Sequence, residues 1–199
     1  MKIKFFLGLA TISIITVLTG CNKAPQVEID AAKAAISETQ AIGADVYLTE
    51  EYAALNDSLN VIMLEVEAKK SKWFAGYNDE KDQLNNIILL ASTVRQNTEI
   101  RKNEIKEDIL VSLSDIKTIL DENQALLSEA PKGKEGTAVL VAIKEELSML
   151  NTSVGEIMKM VENGDYLNAQ SKVTAVSDKS LAINAELKDA ISKYTKRQR

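Results

Sequence analysis

No glycine or proline interrupts residues 77–130. Beyond residue 26 the prolines reduce to Pro131, and the glycines are Gly43, Gly76, Gly133, Gly136, Gly155 and Gly164. Both residue types break regular helices. The chain between them is therefore expected to be mostly uninterrupted helix, and residues 77–130 alone would span about 80 Å at 1.5 Å per residue. The composition agrees: aromatics are 5% of the chain, while alanine, leucine, isoleucine, lysine and glutamate are abundant. That is the make-up of an all-helical protein with long solvated faces.

Hydrophobic spacing divides this helical chain into five long amphipathic helices. The first runs over residues 27–42, is rich in alanine (Ala31, Ala32, Ala34, Ala35) and ends at Gly43, a natural helix terminator. The second is capped by Thr49 and carries Tyr52, Leu55, Leu59, Ile62, Val66 and then Trp73 at steps of three and four, with Lys69 as the exception in the stripe. Gly76 ends it. The third carries Leu84, Ile87, Ala91, Val94, Thr98 and Ile105, and its middle, "RQNTEIRKNE", is almost wholly polar. A break near Asn103 is the alternative to one continuous helix. "PKGKEG" (Pro131 to Gly136) is the clearest loop. The fourth helix carries Leu140, Ile143, Leu147, Leu150, Val154, Met158 and Val161. After Asn163-Gly164, Asp165 caps a fifth with Tyr166, Ala169, Val173, Val176, Ile183, Leu187 and Ile191.

These stripes overlay in order. "ISETQAI" matches "LDENQAL", Tyr52 to Val66 matches Leu140 to Val154, and Tyr77 to Val94 matches Tyr166 to Ile183, with drift only in the loops. The expectation is an all-α fold of two duplicated three-helix units, residues 27–105 and 106–199, sharing one long central helix. Spectrin-like rods offer an architectural analogy for that connection.

The side chains present limit the chemistry. The chain has no histidine and one cysteine. A Ser-His-Asp triad, a Cys-His pair and a Cys/His zinc site each need residues that this chain lacks. Glu145-Glu146 and "NEIKED" have the pattern of solvated helix faces. "PKGKEG" lacks phosphate-loop spacing, and "NGDY" (Asn163 to Tyr166) lacks the calcium-loop ligand series. No catalytic residue, metal or cofactor is therefore expected. A net charge of −5 argues against nucleic acid as a partner.

The single cysteine sits at the end of a leader. Met1-Lys2-Ile3-Lys4 is a positive start, Phe5 to Thr19 is mostly apolar, and small residues precede Cys21. This is the pattern of a secretory signal, residues 1–20, whose apolar run falls short of the ~20 residues that span a bilayer comfortably. An uncleaved anchor is the other reading. Leu18-Thr19-Gly20-Cys21 resembles the lipobox of bacterial lipoproteins. The resemblance implies cleavage between Gly20 and Cys21 and a diacylglycerol on the Cys21 thiol, with residues 21–26 as a lipidated tether. Asn22, in place of an aspartate, implies the outer membrane facing the periplasm.

A second resemblance covers Ala31 to Val94. "AAKAAISETQAIGADVYLTEEYAALNDSL" is similar to the opening of a bacterial lipoprotein domain of unknown function. The shared pattern is an alanine-rich helix, then Gly43-Ala44, Tyr47, Glu51-Tyr52 and the spaced Leu55 and Leu59. Gly76-Tyr77 resembles that family's hairpin turn, although fewer alanines follow here. The family implies an envelope-anchored, tetratricopeptide-like helical hairpin and brings no catalytic residues.

Two surface features remain. "WFAGY" (Trp73 to Tyr77) is the densest aromatic cluster; it either closes the end of the bundle or offers Trp73, Phe74 and Tyr77 to a partner. "SKYTKRQR" (Ser192 to Arg199) is basic; it either complements a helix dipole or touches anionic lipid or cell-wall polymer. The expected function is a non-catalytic, lipid-anchored binding or scaffold module with another envelope protein as partner, and with exposed faces open to self-association. A structural spacer between membrane and cell wall is the alternative, and a carboxylate-dependent enzyme the third.

Overall fold

The computed structural model describes residues 23–72, 75–131 and 136–198. Among them all regular structure is helical: α1 (Gln26–Ala41), α2 (Ala44–Tyr47), α3 (Thr49–Lys70), α4 (Asn78–Glu129), α5 (Gly136–Glu162) and α6 (Tyr166–Arg197). The expected five long helices are joined by the short α2. Its origin is Gly43, whose φ of 89° turns the chain out of α1. The Gly43 N–H closes α1 on the Gln40 carbonyl, while the Gly43 carbonyl accepts from Val46 and Tyr47. One left-handed residue thus ends one helix and starts the next.

Two expected caps differ. Thr49 is the first residue of α3 rather than its cap, and its hydroxyl donates back to the Asp45 carbonyl. Asp165 stands at the cap position of α6, but its carboxylate accepts from the Asn168 side chain instead of a backbone N–H. The α5–α6 turn is held by its backbone. Gly164, at φ 76°, donates to Val161 and Asp165 donates to Met160, the paired bonds of a Schellman motif.

The described residues form two compact units that part between Val94 and Arg95. In the first, α1, α3 and the opening turns of α4 enclose Ile29, Ala32, Ile36, Leu55, Leu59, Ile62, Val66, Leu84, Ile87 and Ala91. The small side chains at Ala32 and Ala91 allow helices to approach closely. In the second, α4 buries Ile105, Ile109, Leu113, Ile116 and Leu120. There α5 and α6 pack together as an antiparallel pair, since Glu146 meets Lys179 and Glu156 meets Lys172.

Helix α4 passes through Asn103 without a break. Within the polar stretch 95–104 Thr98 is the one buried residue and Lys102 is half-buried, while the other positions are exposed. In α5 the expected stripe slips by one residue: Met158 is 39% exposed, and Ile157 is fully buried in its place. Ile157 lies seven residues after Leu150, two helical turns, so the 3.6-residue period selects it.

Candidate functional site

The leader, Gly20 and Cys21, the aromatic pair Trp73 and Phe74, and Lys132 to Glu135 of the "PKGKEG" loop lie outside the described residues. Tyr77 is described. It belongs to the first unit's core, 7% exposed, and its carbonyl accepts from the Lys81 N–H at the start of α4. Of the carboxylates weighed from the sequence, Glu146 pairs with Lys179 at 2.7 Å and Glu145 is exposed.

Two polar groups with buried members join helices among the described residues. The first joins α3 to α4 beside their turn. Lys69 Nζ lies 2.5 Å from Glu80 Oε1, and Glu80 is only 2% exposed. Lys69 also donates to the Gly76 carbonyl at 3.4 Å, so one ammonium ties the end of α3 to both the turn and the next helix. Glu80 stands in the first turn of α4, where the helix dipole favours a negative charge.

The hydrogen bond from Lys69 holds the Glu80 carboxyl below the usual carboxylate range, against the opposing effect of burial. In return, Glu80 raises the Lys69 ammonium above its ordinary value. Both groups are thus held charged near neutral pH. The pair ties the end of α3 to the first turn of α4. Glu80 Oε2 has no hydrogen-bond partner among the described residues. Beside the pair lies an open cavity of about 320 Å³, lined also by Glu65, Lys72, Asp79 and Gln83. No cluster of three potential metal-ligating side chains occurs among the described residues.

The second group lies between α4 and α6. Asn123, fully buried, donates from Nδ2 to the Ser180 carbonyl at 2.8 Å and accepts from Asn184 Nδ2 at 2.8 Å. Asn184 also reaches Glu122 at 3.0 Å, and Lys188 closes the set with Glu122 at 2.8 Å. The contact with Lys188, aided by Asn184, lowers the Glu122 carboxyl below its ordinary range. The Ser180 hydroxyl is spent on the Val176 carbonyl of its own helix.

A signal for these residues existed. Lys69 interrupts an apolar stripe, and Ser180 fills the step between Val176 and Ile183. What sequence spacing could not supply was the partner on the facing helix. Among the described residues, no helix is long and apolar enough to cross a membrane. No protein-family model, curated protein or solved structure matches this chain.

Proposed function

We propose that this chain is a non-catalytic, lipid-anchored protein of the bacterial cell envelope whose helical body serves as a binding or scaffold module. The observation that carries the reading is the single cysteine, Cys21, placed directly after an apolar leader and Leu18-Thr19-Gly20. Its thiol would carry the diacylglycerol, and outer-membrane placement facing the periplasm follows from Asn22. The body supports the same reading. Its buried Glu80, paired with Lys69, and its buried Asn123 and Asn184 are engaged in joining helices.

Two duplicated three-helix units belong to this reading. Thr39 and Asn123, which occupy matching places in "ISETQAI" and "LDENQAL", are both buried polar residues, 1% and 0% exposed. A structural spacer between membrane and cell wall is the second reading, favoured by the exposed basic residues Lys193, Lys196 and Arg197 at the end of α6.

The test is in-cell crosslinking of the tagged full chain, followed by pull-down and mass spectrometry, with the mass of the Cys21 peptide read from the same sample. A diacylglyceryl mass and one stoichiometric envelope protein support the binding module. Cell-wall fragments alone favour the spacer. An unmodified Cys21 overturns the anchor, and substrate turnover by the purified protein overturns the non-catalytic reading.

A further inference from the structure

Helix α6 buries Ala169, Val173, Val176, Ile183 and Leu187 along one face. That face does not stop where the cover stops. Ile191 is half-buried and Tyr194 is 48% exposed, and the two continue the stripe at steps of four and three. Residues 192–198 are all exposed. They hold Lys193, Lys196 and Arg197 and no acidic residue, in a chain whose net charge is −5.

Complementing the helix dipole does not account for this segment. The two lysines that end α3 are both spent on acids, Lys69 on Glu80 and Lys70 on Glu67. Lys196 and Arg197 make no ion pair with a described residue. Lys193 meets Asp189, but both side chains are more than half exposed, so that pair holds the lysine weakly. Nor does a dipole require an exposed phenol in line with the core stripe.

We propose that the end of α6, centred on Tyr194 with Ile191 and flanked by Lys193, Lys196 and Arg197, docks on an anionic phospholipid bilayer. The proposal rests on the lipid-anchor reading above. A tyrosine ring settles at the headgroup level with its hydroxyl in water, and lysine and arginine stems lie along the apolar boundary while their charges reach phosphates. The Tyr194 hydroxyl accepts from Gln198 Nε2 at 2.6 Å, and Thr195 donates to the Ile191 carbonyl of its own helix. The face comprises one aromatic and one aliphatic side chain, far less than the ~800 Å² per partner of a stable protein interface. A bilayer contact needs less area, because each lysine or arginine near an anionic surface adds about 1 kcal/mol.

The experiment uses the full lipidated chain with two kinds of vesicle, phosphatidylcholine alone and phosphatidylcholine with phosphatidylglycerol. Flotation with the neutral vesicles reads the acyl anchor. Amide hydrogen exchange over residues 190–198 reads the docking. The expected result is slowed exchange on the anionic vesicles only, reversed by high salt. It is abolished in K193Q/K196Q/R197Q, whose affinity for the anionic surface falls by about a hundredfold at roughly fivefold per charge, while flotation is unchanged. Equal exchange on both vesicles overturns the proposal, as does slowed exchange in the triple variant. Slowed exchange without vesicles that grows with protein concentration also overturns it and assigns the face to a second copy. Failed flotation overturns the anchor separately; slowed exchange on anionic vesicles would then still support docking.

Discussion

Asn184 Nδ2 donates to Asn123 Oδ1 at 2.8 Å, and Asn123 Nδ2 donates to the Ser180 carbonyl one turn earlier on the same helix at 2.8 Å. Two amides therefore set the register of α4 against α6 where an all-apolar seam would permit sliding. Asn123→Ala should destabilise the protein by about 1–3 kcal/mol, because it leaves Asn184 without its buried partner. The double change N123L/N184L should cost much less than the sum of the single changes, since paired apolar replacement removes both polar groups together. Denaturant unfolding of the four proteins measures the coupling, and strict additivity would show that the pair does not act as a unit.

The Lys69–Glu80 pair gives a pH prediction with a defined sign. The folded-state pKa of Glu80 is depressed by Lys69. Its contribution to stability is thus present above the unfolded carboxylate value, about 4.3, and is lost as pH falls through the folded value. Lysine 69 is raised from 10.5, so its contribution is present below that value and is lost as pH rises through the folded one. In Lys69→Met, burial of Glu80 is no longer opposed, its folded pKa rises, and the charge becomes a cost at neutral pH. The difference in Tm between the wild type and Lys69→Met should be largest near pH 7 and shrink towards pH 4. A difference independent of pH would assign the lysine to packing alone.

Glycine changes should split in sign. Gly155 lies within α5, and a Cβ there meets nothing within 4 Å. Gly155→Ala should stabilise by about 0.5–1 kcal/mol through helix propensity. At Gly43 the φ is 89°, and a Cβ would meet the Tyr47 ring at 3.2 Å. Gly43→Ala should destabilise by about 1–2 kcal/mol from the left-handed backbone, with the ring contact in addition. Thermal unfolding of the two variants checks both signs.

Core and surface leucine-type positions should separate as widely. Ile116 is fully buried, and Ile116→Ala should cost about 2–5 kcal/mol. Leu64 falls between the stripe residues Ile62 and Val66 in sequence but is 71% exposed, and Leu64→Ala should stay within about 0.5 kcal/mol. A large loss at Leu64 in the purified protein would reveal a contact made between copies.

The sequence by itself determined that the chain is helical and roughly where its long helices start and stop. Gly43, Gly76, Pro131 and Gly164 punctuate local backbone geometry, and steps of three and four fix which face of each helix is apolar. Those are local properties, and Leu55, Ile87, Leu147 and Val173 are buried as their spacing required. Only the tertiary structure decided what faces what. It set Lys69 against the buried Glu80 and joined Asn123 to Asn184, irregular members of otherwise apolar faces. A hydrogen bond or ion pair between helices depends on the distance between two chain segments far apart in sequence, which no single-segment pattern contains.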